Sequence, residues 1–212
     1  MIDEIRRQQV IQSLPERLQA PLAETLRAEG FCGVIPAETA QAWCDLAQLP
    51  IEQLMFRLIE CARLYAHPPI SGYPVGIVVQ GGSGHLYFGA NLEFAGQALN
   101  CTVHGEQAAI MHAWLHGETT LTSLAVKGAP CGHCRQFMQE LVSAATLKLV
   151  TPQPETQPLA AILPRPFGPH SLGHSGGLLQ PEDHPLTLRV PTDDPLSQAA
   201  LAMARHSYAP YS

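Results

Sequence analysis

Apolar residues recur at helical spacing through the first third of the chain. Ile5, Val10 and Ile11 are followed by Leu18, Leu22 and Leu26, and Gly30 interrupts the series. A further helix is expected from the Pro36-Ala-Glu-Thr turn. Another is expected over Ile51 to Tyr65, with Leu54, Leu58 and Cys61 on one face. An apolar stripe of this kind needs a partner surface, so these helices read as a cap packed on a core.

The period then changes. Val75-Gly-Ile-Val-Val is a short β-branched run, Gln80-Gly-Gly-Ser-Gly is turn chemistry, and His85-Leu-Tyr-Phe-Gly returns, which together predict a hairpin. A helix is predicted over Gly105 to His116, with Ala108, Met111 and Leu115 on its inner face and Gly117 ending it. Leu121 to Val126 reads as a strand. Cys131 to Ala145 reads as a helix with Cys134, Phe137, Met138, Leu141 and Val142 on its apolar side, and Leu147 to Val150 reads as a strand. The order hairpin, helix, strand, helix, strand predicts an α/β fold: a mixed β-sheet with helices packed on it, preceded by a helical N-terminal region.

Ten of the 19 prolines fall between Thr151 and Leu196. Proline blocks interior helix and ladder positions, so this stretch reads as a connector wrapping the domain surface. The expected organisation is a helical region over 1–48, a catalytic domain over 49–150, a Pro-rich linker over 151–196, and the start of a second domain over 197–212. The last assignment rests on an internal echo: Ala62-Arg-Leu-Tyr-Ala-His-Pro-Pro-Ile-Ser resembles Ala204-Arg-His-Ser-Tyr-Ala-Pro-Tyr-Ser. On that reading the second domain is truncated.

Composition narrows the function. The chain has 212 residues, 46% hydrophobic and 14% charged, with 18 acids against 12 bases. There is no basic stripe to neutralise phosphates, which disfavours nucleic acid and favours a small uncharged substrate. No run of about 18 apolar residues suggests a membrane span. The N-terminus has no signal-like apolar region, so a cytoplasmic location with reduced thiols is expected.

Two clusters carry the chemistry: Cys101-Thr-Val-His-Gly-Glu106 and Pro130-Cys-Gly-His-Cys-Arg-Gln136. His104 begins one predicted helix. Cys131 and Cys134 lie in the first turn of another, where i, i+3 spacing puts them on one face and the helix dipole favours thiolates. One imidazole and two thiolates give three zinc ligands and leave a fourth position for water. Glu106 can then shuttle protons beside the metal without binding it. Two other readings stay open at this point. Adding Cys101 makes a closed Cys₃His structural site, and the Cys-x-x-Cys alone suits redox chemistry. His133 reads as a surface residue, and the His112/His116 pair as ordinary helix residues.

The ordered set His-x-Glu then Pro-Cys-x-x-Cys is the zinc-deaminase signature. With Tyr87-Phe-Gly-Ala-Asn-Leu-Glu-Phe, Thr102-Val-His-Gly-Glu-Gln, His112-Ala-Trp-Leu and Pro130-Cys-Gly-His-Cys-Arg-Gln-Phe-Met, the stretch from about Pro50 to Val150 resembles cytidine deaminase, nearest to its two-domain homodimeric bacterial form. The resemblance implies a cytidine-deaminase-like fold, one Zn²⁺ per chain, and hydrolysis of cytidine and deoxycytidine in pyrimidine salvage. It implies a nucleoside partner, no nucleic acid or membrane, and a homodimer. It further implies that Asn91 and Glu93 bind the ribose, that Tyr73 stacks near the pyrimidine, and that the backbone at Gly105 and Ala129 meets the base's polar edge. Gly105 stands where alanine is usual in this family, and Tyr73 where phenylalanine is usual. Other readings are a zinc-stabilised non-catalytic domain and a deaminase of another aminated base.

Overall fold

The computed structural model describes residues 4–153, 155–174 and 176–209. Its centre is one six-stranded sheet in the order β1-β3-β2-β4-β5-β6. The strands are β1 (Val34–Ile35), β2 (Gly76–Gly81), β3 (Leu86–Ala90), β4 (Leu121–Ala125), β5 (Lys148–Val150) and β6 (Gln157–Pro158). The β2/β3 hairpin pairs Val78 with Phe88 and Val79 with Tyr87. Among the described strands only β4 and β5 run parallel. A parallel pair needs a crossover, which here is the segment carrying α6 (Gly132–Gln139). The expected mixed sheet is therefore present.

Adjacent residues of β2 face opposite layers. Val78 packs with α1 (Glu4–Gln12), α2 (Glu16–Arg27), α3 (Ala37–Ala47) and α4 (Ile51–Ala62), through Leu18, Leu22, Trp43, Leu54 and Leu58. Ile77 and Val79 instead pack with α5 (Gly105–Leu115) and α6, through Ala109, Ile110 and Met138. A strand covered on both faces reads as a continuous apolar run, which is why Ile77-Val-Val shows no alternation. Fully burying each large aliphatic side chain of α4 contributes about 1.5–3 kcal/mol, and Leu54, Met55, Leu58 and Ile59 are all inaccessible or nearly so.

Two glycines let helices sit against the sheet. A Cβ at Gly89 would strike Ala109 N and Gly105 O of α5, and one at Gly76 would strike Ile59 O of α4. This contact sets the rotation of α5. The buried face is Ala109, Ile110 and Ala113, not Ala108, Met111 and Leu115; Leu115 is 81% exposed. The helix is apolar on several sides, so periodicity alone does not select the face.

Three further differences have local causes. α6 ends at Gln139 rather than Ala145, because Leu141 bridges to Leu178 and the Val142 amide donates to Leu178 O. Val142 is consequently exposed. β1 and β6 are two-residue strands, too short to leave a pattern. Within the Pro-rich stretch, Leu159, Leu178 and Leu179 enter the α5/α6 core, and a short helix, α7 (Leu159–Ile162), lies beside α6. The last helix, α8 (Pro195–Arg205), is capped by Asp194, whose carboxylate accepts from the Ser197 amide. Pro210, Tyr211 and Ser212, the end of the internal echo, lie outside the described residues. Among the described residues no helix is long and apolar enough to cross a membrane.

Candidate functional site

The site forms where two helix N-termini meet at the carboxyl end of β4. His104 is the N-cap residue of α5, and Cys131 the N-cap residue of α6. The His104 amide donates to the Gln107 side chain at 3.0 Å, which closes the first turn of α5. The Cys131 sulfur accepts from the Cys134 amide at 3.5 Å. Upstream, Leu92 and Val103 exchange both backbone hydrogen bonds, so the Asn91-Leu92-Glu93 segment runs beside the residue preceding His104.

A ring nitrogen of His104 and the sulfurs of Cys131 and Cys134 all lie within 4.8 Å of one another. The His104 Nδ1 to Cys131 Sγ separation is 3.5 Å. Zinc bonds to nitrogen and sulfur at tetrahedral angles span roughly 3.5 Å between ligand atoms, so the donor set fits that metal. Cys134 is fully buried. Burial, and then the neighbouring Glu106 carboxylate, push its thiol pKa well above the ordinary value. A divalent cation reverses that tendency, because a coordinating thiol is deprotonated.

Glu106 is buried at 5% exposure and lines a cleft of about 290 Å³ with His104, Cys131, Tyr73 and Ala129. That is the small end of the range for small-molecule sites. A larger cleft of about 670 Å³, between Ser13–Leu14, α4 and residues 150–153, has no thiol or imidazole in its lining and offers no comparable chemistry. On the wall of the smaller cleft, Lys127 and Arg63 pair with Glu60. Burial alone raises the Glu60 pKa, but the hydrogen bonds and charges of Lys127 and Arg63 outweigh it and hold it below the ordinary carboxylate value.

The remaining expected residues separate into two groups. Tyr73, 71% exposed, and Ala129 stand at the cleft. Asn91 and Glu93 are buried behind it and hold the loop that carries Tyr73. Asn91 Oδ1 accepts from the Val75 amide at 2.8 Å, and its Nδ2 donates to Tyr73 O at 3.0 Å. Glu93 accepts from the amides of Ile70 and Ser71 at 2.8 and 2.9 Å and from the Ser71 hydroxyl. Those donors, the hydroxyl foremost, hold its carboxyl below the ordinary value. Gly105 is buried, and a Cβ there would lie 2.9 Å from Ile77 and 3.1 Å from Val75. The usual alanine would therefore need those side chains to yield by a few tenths of an ångström.

Cys101 stands apart from the ligand cluster: it is exposed on a 3₁₀ turn, its sulfur against the Asn100 side chain at 3.8 Å. Sequence reasoning missed three contributors, Gln107, His133 and Arg135. His133 stacks on the His104 ring with centroids 5.1 Å apart, and its Nε2 meets Gln107 Nε2 at 3.1 Å. Arg135 donates to Pro130 O at 2.7 Å and to Ile162 O at 3.0 Å, fixing the turn before Cys131 against α7. The Pro-Cys-x-x-Cys-Arg string contained the Arg135 signal, but its carbonyl partners are fixed only by the fold.

The sequence profile described as the cytidine and deoxycytidylate deaminase zinc-binding region matches residues 50–149, and a second profile of the same description matches 159–212. A cytidine deaminase of Yersinia pestis (strain Pestoides F) is 44% identical over 199 residues, covering 94% of this chain and 67% of that protein. One of Aliivibrio fischeri is 41% identical over 207 residues, covering 98% of this chain and 69% of that protein. The chain thus spans about two thirds of the length of these relatives. Among solved structures, a mutant cytidine deaminase of Mycobacterium tuberculosis superposes with a TM-score of 0.51 at 24% identity, over 55% of this chain and 97% of that one, a likeness of fold. With both profiles and two relatives above 40% identity in agreement, the chain belongs to the cytidine deaminase family of zinc-dependent enzymes.

Proposed function

We propose that this chain hydrolyses the exocyclic amine of cytidine and deoxycytidine, giving uridine or deoxyuridine and ammonia, as a step of pyrimidine salvage. The observation that carries the reading is the meeting of His104, Cys131 and Cys134 at one point beside the buried Glu106. His104, Cys131 and Cys134 would hold the zinc ion. Zinc, when bound, supplies the Lewis acidity that makes water a nucleophile at neutral pH.

The chain's own residues do the rest. Glu106 takes a proton from the attacking water and delivers it to the ring nitrogen next to the amine-bearing carbon. It then takes the remaining proton from the oxygen newly bonded to that carbon and passes it to the departing amine as the carbon–nitrogen bond breaks, so the carboxylate ends in its starting state. The N-termini of α5 and α6 both point at the site and favour the negative charge carried there. Tyr73 covers the cleft mouth, and the backbone at Gly105 and Ala129 meets the polar edge of the base. For the sugar, Asn91 and Glu93 are the assigned partners. The Leu92–Val103 pairing keeps them next to His104, and three of about four acceptor sites on Glu93 are in use, which leaves one for a ribose hydroxyl.

The location of Cys101 outside the ligand cluster supports an open fourth position over a closed Cys₃His site. A cytoplasmic homodimer, with no nucleic-acid or membrane partner, completes the reading; sedimentation of the purified chain tests the dimer. The deciding experiment is an absorbance assay of the zinc-loaded protein against cytidine, deoxycytidine, cytosine and deoxycytidylate. Turnover of the two nucleosides is expected. Turnover confined to cytosine or deoxycytidylate would replace the substrate class, and no turnover of any by the zinc-loaded chain would reject the enzyme reading for this chain.

A further inference from the structure

A second group of metal-ligating side chains lies at the other end of α5. One ring nitrogen each of His112 and His116, and the sulfur of Cys32, lie within 4.8 Å of one another. The histidines are i, i+4 on one helix face, a spacing that brings two imidazoles to one metal. Cys32 comes from the segment between α2 and β1, eighty residues upstream of His112 in the chain.

The imidazoles are already oriented. His112 Nδ1 lies 2.8 Å from Phe88 O, and His116 Nδ1 lies 2.9 Å from His112 O. A carbonyl oxygen only accepts, so Nδ1 carries the hydrogen in both rings, which leaves Nε2 as the lone-pair donor of the neutral imidazole. A backbone carbonyl on the second ring nitrogen is the arrangement that fixes the tautomer of metal-ligating histidines and strengthens them as donors. The third ligand is also held in place. Gly33, next to Cys32, accepts through its carbonyl from the Phe88 amide at 2.9 Å, and Phe88 O holds His112. Phe88 therefore fixes both the cysteine segment and the first histidine from one strand position. Gly33 has φ +88° and faces His112, which brings the chain up against that ring without a side chain between.

We propose that Cys32, His112 and His116 form a second metal site for a zinc-class divalent ion, distinct from the catalytic one. Two imidazoles and one thiolate suit zinc or a similar borderline-soft ion and do not suit calcium or magnesium. Two of the three ligands are exposed, so the fourth position is open to water. The site lies eight residues along α5 from His104, roughly 12 Å at 1.5 Å per residue. It ties the α2–β1 segment to the C-terminal half of α5, the helix that opens with the catalytic histidine and glutamate. Its role is a structural cross-link.

The test is zinc stoichiometry on the full chain. Protein stripped with chelator is saturated with zinc, freed of excess by gel filtration, and its metal and protein contents are measured. Two equivalents per chain are expected for the wild type, and one for Cys32→Ser and for His116→Gln, with cytidine turnover retained in both. His116 is exposed, and Cys32→Ser provides a second variant on a different segment. Two equivalents in every variant would mean adventitious surface binding and overturn the proposal. So would one equivalent in the wild type that Cys32→Ser leaves at one. One equivalent that Cys32→Ser removes would keep this site and reject the other, so failure here is distinguishable from failure at His104, Cys131 and Cys134.

Discussion

Cys131 Sγ stands 3.5 Å from His104 Nδ1, although 27 residues separate them in the chain. Each is the N-cap of its own helix, so the two caps coincide in space. Neither helix can shift along its axis without opening the gap. The N-cap positions explain why short local strings, His-x-Glu and Cys-x-x-Cys, suffice to encode a site assembled from two elements.

The first expectation concerns the metal. Cys131→Ser replaces a thiolate by a poorly ionising hydroxyl. Removing an outer-shell partner weakens metal binding by roughly 10–100-fold, and losing a direct ligand should exceed that. Turnover should fall with zinc occupancy. Metal analysis and the cytidine assay on the same sample check this. Full activity at full zinc content in the variant would remove Cys131 from the ligand set.

Glu106→Gln keeps shape and hydrogen-bonding length but cannot carry a proton. Zinc content is expected to stay at the wild-type value, because Glu106 lies outside the His104, Cys131 and Cys134 group. The catalytic rate should drop by about 10²–10⁴-fold, the usual range for losing a general acid–base group. A variant that keeps its zinc and its rate would sink the proton-transfer role.

Glu93 gives a pH-dependent expectation. Its folded carboxyl lies below the ordinary 4.5, mainly through the Ser71 hydroxyl and then the Ser71 and Ile70 amides. The bonds it accepts are therefore fully present above pH 4.5 and are lost as the pH falls through the lowered folded value. The amide resonances of Ile70 and Ser71 should titrate together in that acid window. In Glu93→Gln they should titrate nowhere, and KM should rise, because the Tyr73 loop loses its anchor and the ribose loses an acceptor. Amides that titrate at the ordinary carboxylate value would show that the loop bonds are not held in solution.

Legibility in the sequence followed the range of the interactions. Ile77-Val-Val and Leu121 to Val126 were readable as strands because β-branched and aliphatic runs bounded by turn residues are local signals. The proposed zinc ligands were readable as candidates because each motif sits within one helical turn. The buried face of α5 was not, since Gly89 against Ala109 decides it, and that contact is long-range. Asn91 and Glu93 showed the same limit: the resemblance pointed to them, but only the fold revealed that they grip residues 70–75. Cys32 and the His112/His116 pair looked unrelated along the chain and meet only across the Phe88 strand position.

Gly89→Ala tests that long-range contact. The added methyl would meet backbone atoms of Ala109 and Gly105, which cannot rotate away as a side chain can. Overpacking typically costs about 1–3 kcal/mol, and backbone against backbone belongs at the upper end. The denaturation midpoint should fall by a matching amount with an unchanged denaturant slope. A midpoint within error of the wild type would mean that α5 does not rest on β3 as described.

Arg135 offers the last expectation, because it joins the zinc turn to the segment beyond β5. Its Nε donates to Pro130 O at 2.7 Å, and a second guanidinium nitrogen donates to Ile162 O at 3.0 Å. Hydrogen bonds from charged groups contribute about 1.5–3 kcal/mol each. Arg135→Lys keeps the charge, but one ammonium cannot reproduce the planar fork that reaches two carbonyls in fixed directions. Lysine should keep part of the stability that Arg135→Ala loses, yet both variants should bind zinc about 10–100-fold more weakly, because the Pro130 turn orients Cys131. A competition titration against a chelator reads the affinity, and thermal unfolding reads the stability. If affinity falls only in proportion to global unfolding, Arg135 is a packing residue; if it falls in variants that remain folded, the Pro130 anchor is what presents Cys131 to the metal.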